Sequence, residues 1–191
     1  ISQPAIVAMS IAAYKAFIAK FDVNPEFVAG LSLGEYSSLI AAGAFSIKDG
    51  ISLIKRRGEI MDAASKKNPG TMAAVLNLDS NKIKEICQSV GAEVANLNCP
   101  GQVVITGKQE AVVKASQLCS EAGAKRVIPL EVSGGFHSSL MLDAAVELKK
   151  ELDKVVISDA KIPVISNYTA NVQMKSVDIK ANLVKQIHSP V

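Results

Sequence analysis

The stretch Gly30-Leu31-Ser32-Leu33-Gly34 constrains this chain more than any other. An apolar run, "FVAG", leads into it, and a helical pattern, "GEYSSLIAAG", follows at once. The spacing fits G-x-S-x-G, a sharp strand-to-helix turn that lifts a serine hydroxyl above a sheet. Such a turn forces the serine into a strained backbone conformation, and glycines beside it remove Cβ atoms that would clash. The Leu33 amide, at the helix N-terminus, then points at the same space as the hydroxyl, where the helix dipole favours a developing oxyanion. The plainer alternative is a tight turn in which Ser32 only caps the helix.

The neighbouring segments supply the strands and helices such a turn needs. Ser2 and Pro4 open a first helix. Phe27–Leu31 reads as a short buried strand, and a helix from about Leu33 to Ala42 stops at Gly43. Ser46 and Asp49 form a capping-box-like start for a helix reaching about Ala64, and residues 66–70 form a loop. Residues 71–133 change rhythm to β-α-β-β-α-β, the order of a ferredoxin-like sandwich, with the turn Cys99-Pro100-Gly101 between its middle strands. Residues 134–191 hold a helix from about Ser138 to Lys154, a strand at Ile162–Ser166 and a helical stretch near Ile179–Ile187. The expected fold class is α/β: a parallel-sheet, α/β-hydrolase-like core (1–70 and 134–191) with an inserted ferredoxin-like βαββαβ subdomain (71–133).

Composition excludes several functions. The chain of 191 residues is 49% apolar and 20% charged, as in globular proteins. A net charge of +3, with no basic run interleaved with aromatics, argues against nucleic acid. No apolar run reaches the ~18 residues of a membrane span, and no signal peptide is visible. Cys87, Cys99 and Cys119 are odd in number and lack CxxC spacing, which reads as free thiols in a reducing cytoplasm. The two histidines have no metal-ligand partner at standard spacing, so no metal is expected.

A serine nucleophile needs a base. His137 follows a strand and the Gly134-Gly135 turn and precedes a helix, and a strand's C-terminal edge is where open α/β sheets place their sites. His188, beside Pro190 near the chain end, reads as structural. Arg57 lies in "DGISLIKRRGEIMDAA", where Leu53, Ile54, Arg57, Ile60, Met61 and Ala64 share one helix face. A guanidinium inside an apolar stripe requires an anionic partner. That partner is either an internal carboxylate or the carboxylate of a substrate held bidentately, and the spacing leaves both open. Serine and arginine together suggest transfer of a dicarboxylic acyl group.

The segments "GLSLGEYSSLIAAGAFSIKDGISLIKRRGEIM", "NLNCPGQVVITG", "GGFHSSLM" and "PVISNYTA" resemble the malonyl-CoA:acyl carrier protein transacylases, the acyltransferase family of fatty acid and polyketide synthesis. The likeness runs through nearly the whole chain in order. It implies a ping-pong transfer of malonyl from coenzyme A to the phosphopantetheine thiol of acyl carrier protein, with no cofactor beyond the thioester substrate. Ser32 would be the nucleophile, His137 the base and then acid, Leu33 an oxyanion donor, and Arg57 the clamp on the malonyl carboxylate. Asn98 and Gln102 match a segment lining the family's substrate cleft, and Phe136 a position associated with malonyl preference. The implied protein is a cytoplasmic monomer that binds neither nucleic acid nor membrane. Leu31 stands where the family has histidine and is expected to fit a buried strand end; Ser139 stands where proline is common. The family's glycine-glutamine segment, with a second oxyanion donor, would precede Ile1. Its glycine-rich segment, near the carbonyl that orients the histidine, would follow Val191. The 191 residues alone are accordingly expected to be poorly active, at a cost of roughly 10²–10³ in rate for one missing oxyanion donor.

Three alternatives share parts of this pattern. One is an acyltransferase domain of a polyketide synthase. A thioesterase or patatin-like lipase would use the same turn, but would not need Arg57, and Asp143 and Asp159 carry no triad motif. A degenerate domain that only docks carrier protein fits Leu31 but not the joint presence of Ser32, Arg57 and His137. Glu35 reads as an acid favouring the helix dipole, Cys99 as a cleft-side or buried thiol, and Lys66-Lys67 and Lys149-Lys150 as solvated faces or a basic rim for an acidic carrier.

Overall fold

A computed structural model describes residues 2–191 as a mixed α/β protein in two compact units. One unit comprises the chain up to Ile60 together with Val146–Lys185. The other comprises Met61–Ala145 and Gln186–Val191.

The first unit carries α1 (Ser2–Lys20), α2 (Leu33–Ala41), the first turns of α3 (Ile47–Lys67), the end of α6 (Leu142–Leu152), the two-residue strands β5 (Val164–Ile165) and β6 (Val172–Gln173), and nearly all of α7 (Ser176–Gln186). α3 starts where the capping pattern puts it: Ser46 Oγ accepts the Asp49 N–H at 3.0 Å and donates to the Asp49 carboxylate at 2.7 Å. It runs to Lys67, three residues past the expected end. Leu53, Ile54 and Arg57 on its apolar face are buried. The expected strand at Phe27–Leu31 is reduced to one parallel bridge between Val28 and Val164. Val28 N–H donates to the Pro163 carbonyl at 2.9 Å, and Ile165 N–H to the Val28 carbonyl at 3.0 Å. The apolar run is short and Phe27 is 55% exposed, so only Val28 pairs. β5 falls inside the expected strand Ile162–Ser166 and pairs antiparallel with β6, which the sequence pattern does not reveal because two residues carry no periodicity.

The second unit holds an antiparallel sheet of β1 (Thr71–Leu76), β2 (Glu93–Cys99), β3 (Gln102–Gly107) and β4 (Arg126–Pro129) in the order β2-β3-β1-β4. The helices α4 (Ser80–Val90) and α5 (Gln109–Glu121) make the connections, giving β-α-β-β-α-β along the chain. Alternation sorts the residues of each strand by face. Ala73, Val75, Val103 and Ile105 pack with Ile83, Cys87, Val112 and Cys119 of the two helices. Met72, Ala74, Ala95 and Val104 form a second apolar layer, to which Leu130 and Phe136 add. Burial on both faces explains the unbroken apolar runs "MAAVL" and "VVIT". Beyond the bulges in β2, the last residue, Val191, pairs with the Ala95 carbonyl and the Leu97 N–H, each at 2.8 Å.

Helix α4 has clean ends. The Asp79 carboxylate accepts the N–H groups of Asn81 and Lys82 at 3.0 Å, and Gly91 closes the helix at φ +75°. Ile105 is fully buried at the sheet centre. Asp79→Ala should destabilise by about 1 kcal/mol, and Ile105→Ala by about 2–5 kcal/mol. Denaturant midpoints of the two variants, compared with the parent, check both values and their order.

Candidate active site

The serine corner is set by a backbone approach. A Cβ built on Gly30 falls inside the van der Waals radii of the Gly34 carbonyl carbon and oxygen, so the chain reverses here only with glycine at position 30. A Cβ on Gly34 meets nothing within 4 Å. The steric demand expected of both glycines therefore rests on Gly30 alone. Ser32 is left at φ +51°, ψ −98°, a conformation costing about 1–3 kcal/mol in a residue with a Cβ. Its side chain makes no capping bond to α2, which removes the helix-cap explanation for this serine. The Leu33 N–H is the first of the helix and has no carbonyl four residues back within it. Leu31, expected to be buried, is 57% exposed, because the pairing strand ends before it.

Asn167, just after β5, spans the corner. Its Oδ1 accepts the Ser32 N–H at 2.6 Å, and its Nδ2 donates to the Gly30 carbonyl at 2.8 Å. Glu35, the acid in the first turn of α2, is fully buried. Its carboxylate accepts the Asn167 N–H at 3.3 Å and Gln173 Nε2 at 2.6 Å.

Arg57 is 1% exposed; its Nη2 donates to Ser32 Oγ at 3.0 Å and its Nη1 to Gln3 Oε1 at 2.8 Å. The guanidinium also lies 5.3 Å from the centroid of the Tyr36 ring. Burial holds the Arg57 pKa below its ordinary value, opposed by Tyr36 and then by Glu35. Burial also pushes the Tyr36 hydroxyl up to about 12, against the pull of the Arg57 charge and with that of Glu35. The neutral phenol is thus the form of Tyr36 present near neutral pH.

In the second unit, His137 is buried at φ +55°. Its Nδ1 donates to the Gln186 carbonyl at 2.8 Å, since a carbonyl only accepts. With the proton on Nδ1, Nε2 carries the ring's lone pair. The carbonyl that fixes the ring at Nδ1 is thus that of Gln186, at the end of α7. Ser138 Oγ donates to the Gly135 carbonyl at 2.6 Å and accepts the Leu140 N–H at 3.3 Å, capping a short 3₁₀ turn over Ser139–Met141 before α6. Ser139 donates twice to Glu93 on β2, from Oγ at 2.6 Å and from N–H at 3.0 Å. The N–H bond would be lost with proline at position 139.

The remaining candidates sit as follows. Asn98 and Gln102 face each other at the β2–β3 turn, Asn98 Nδ2 donating to Gln102 Oε1 at 3.3 Å. Phe136 packs on the apolar layer of Met72, Ala74, Ala95 and Val104. Cys99 is exposed rather than buried, while Cys87 and Cys119 are buried. Lys66, Lys67, Lys149 and Lys150 each pair with a carboxylate, of Asp62, Asp143, Asp153 and Glu147 respectively, so their charge is locally neutralised. Among the described residues no group of His, Cys, Asp and Glu could hold a metal ion, and no helix is long and apolar enough to cross a membrane. Gln3, Asn167 and Gln186 were not singled out in the sequence. Asn167 lies in "PVISNYTA", and its polar side chain directly after an apolar strand was the available signal.

A strained serine at a turn into a helix, with a buried arginine on its hydroxyl, places the chain among α/β proteins with an elbow serine. The chain belongs to the acyl transferase domain family, whose model matches residues 1–191. It is 49% identical over 195 residues to the malonyl CoA-acyl carrier protein transacylase of Bacillus subtilis (strain 168), covering 100% of this chain and 61% of that protein. A Streptococcus pneumoniae structure named MCAT is 44% identical with a TM-score of 0.94, over 100% of this chain and 63% of that one. A malonyl-transacylase solved in complex with a type II polyketide synthase acyl-carrier protein is 37% identical with a TM-score of 0.96, over 100% and 63%. The chain thus spans less than two thirds of the length of these relatives.

The two glycines of the corner should separate in experiment. Gly30→Ala should destabilise by about 3 kcal/mol or more, because backbone must move. Gly34→Ala, in the first turn of α2, should be neutral or stabilising by up to about 1 kcal/mol. Thermal midpoints of the pair provide the test, and equal effects would refute the steric account.

Proposed function

We propose that this chain carries the catalytic centre of a malonyl-CoA:acyl carrier protein transacylase acting in fatty acid biosynthesis. The observation that carries the reading is the 3.0 Å bond from Arg57 to Ser32 Oγ in a buried setting. A fixed guanidinium on the nucleophile suits an acyl group that ends in a carboxylate, which it would bind through charge-assisted hydrogen bonds. A hydrolase of neutral esters has no use for it.

In the first half-reaction, Ser32 Oγ attacks the thioester carbonyl of malonyl-CoA and His137 takes its proton at Nε2. The Leu33 N–H donates to the oxyanion that forms. The carbon–sulfur bond breaks, His137 returns the proton to the coenzyme A thiolate, and malonyl remains on Ser32. In the second half, the phosphopantetheine thiol of acyl carrier protein attacks the acyl-serine, with His137 again as base and then acid. Asn98 and Gln102 contact substrate, and Phe136 favours malonyl over branched acyl groups. The reaction uses no cofactor beyond the coenzyme A thioester. A complex of a similar malonyl-transacylase with an acyl-carrier protein supports the partner.

The finer architecture belongs to the same reading. Residues 1–70 and 134–191 form an α/β-hydrolase-like core, for which the parallel Val28–Val164 bridge speaks, and residues 71–133 a ferredoxin-like insert, for which the β2-β3-β1-β4 order speaks. The protein acts as a monomer in the cytoplasm.

Intact-mass measurement tests the reading on the complete gene product mixed briefly with malonyl-CoA or acetyl-CoA. The parent should gain a malonyl-sized adduct. Ser32→Ala should lose it, with turnover down by at least roughly 10³-fold. Arg57→Ala should lower the preference for malonyl over acetyl by about 10²-fold, the worth of two hydrogen bonds to a charged group. Release of free coenzyme A without an adduct would favour a hydrolase, and no adduct with no turnover a docking domain.

A further inference from the structure

We propose that Asn167 is a positioning residue for Ser32, its side-chain amide clipping the strained corner into the conformation from which the hydroxyl reacts. This rests on the reading of Ser32 as nucleophile.

One planar amide makes both bonds at the corner, and they run in opposite senses. It accepts from the Ser32 N–H at 2.6 Å and donates to the Gly30 carbonyl at 2.8 Å. An N–H only donates and a carbonyl only accepts, so the flipped amide would lose both bonds. The clip therefore fixes the backbone on both sides of Leu31, immediately before the residue at φ +51°. Strained conformations of this kind persist only where the surroundings over-determine them.

Asn167 is itself held in place. Its N–H donates to one oxygen of Glu35 at 3.3 Å, and Gln173 Nε2 donates to the other at 2.6 Å. Gln173 Oε1 in turn accepts from Asn182 Nδ2 at 2.8 Å. Two donors converge on Glu35, the complement of an ionised carboxylate. Glu35 and Gln173 are 0% and 3% exposed, so water does not readily replace these bonds. Glu35 lies in the first turn of α2, three residues after Ser32, so the segment after β5 grips that turn at two points.

The roles of neighbouring groups are distinct. Arg57 reaches the Ser32 hydroxyl, whereas Asn167 reaches only backbone. Loss of Asn167 should therefore slow every reaction of Ser32, whatever the reagent, while leaving recognition of the malonyl carboxylate intact.

The experiment uses the complete gene product, Asn167→Ala and Asn167→Asp. Two reagents are applied: malonyl-CoA, followed by single-turnover intact mass, and phenylmethylsulfonyl fluoride, a small electrophile without a carboxylate, followed by the rate of Ser32 labelling. Asn167→Ala should slow both by about 10²-fold, as for a misplacement of about 1 Å, with parental circular dichroism. The malonyl-CoA concentration for half-maximal acylation should stay within about twofold of the parent. Asn167→Asp keeps the volume and the acceptor for Ser32 N–H but loses the donor to Gly30, and should slow both reagents by a smaller factor. This isosteric variant decides alone if Asn167→Ala does not fold. Parental rates with both reagents would overturn the proposal. So would a loss confined to malonyl-CoA, which would make Asn167 a substrate-binding group. A parent that Ser32-labels with neither reagent would overturn the nucleophile assignment itself; a labelled parent with equally labelled Asn167 variants overturns the clip alone.

Discussion

The contact between Gly30 and the Gly34 carbonyl is the constraint on which the candidate site depends. With no side chain at position 30, the chain can turn from its pairing with Val164 into α2 within four residues. The turn leaves Ser32 at positive φ, immediately before the first residue of α2. Local sequence creates this strain but does not hold it. What holds it is distant in the chain: Asn167 on the backbone, and the buried face of α2, where Tyr36 and Leu39 are fully enclosed.

A second constraint is the burial of opposite charges within one unit. Arg57 and Glu35 are both withdrawn from water, where an ion without partners costs several kcal/mol. Each is surrounded by polar groups of the right sense. Arg57 donates to Gln3 and Ser32 and lies against the Tyr36 ring; Glu35 accepts from Asn167 and Gln173. The phenol between them stays neutral because its own ionisation is opposed by burial. Fixed donors and acceptors of this kind need no rearrangement when a charged group arrives, which is how a preorganised site differs from water. The internal-carboxylate and substrate-carboxylate explanations for Arg57 are therefore not exclusive. Glu35 contributes to its electrostatic balance, and the hydroxyl of Ser32 occupies one of its donors.

How much of this the sequence carried depended on range. α4 and β3 were legible to the residue, because Asp79, Gly91 and the turn at Cys99-Pro100-Gly101 are local signals. The buried stripe of α3 was legible from periodicity, and the serine corner from its glycines. The strand at Phe27–Leu31 was over-read, because an apolar run looks the same whether five residues pair or one does. Leu31 is given burial that the structure does not provide, since exposure depends on what packs from elsewhere. Glu35 is legible as the first-turn acid of α2, but its bonds to Asn167 and Gln173, 132 and 138 residues away, carry no local signal. Asn167, Gln3 and Gln186 act through contacts 49 to 137 residues distant, and no local pattern encodes those.

Ser32 and His137 share one property that links strain to chemistry. Both are non-glycine residues in the left-handed region, at φ +51° and +55°. Each is held there by groups from other parts of its own unit: Ser32 by the Asn167 side chain, and the His137 loop by Glu93 through Ser139 and by the Gln186 backbone carbonyl. A strained residue that nothing held would relax, and one held only locally would depend on a few neighbouring torsions. Anchoring across 135 residues at Ser32, and 46 and 49 at the histidine loop, makes each conformation a property of its folded unit. The two side chains with the chemistry to attack and to carry a proton are thus fixed by the tertiary fold, so reactivity there should be lost as soon as packing loosens, before the helices themselves unravel.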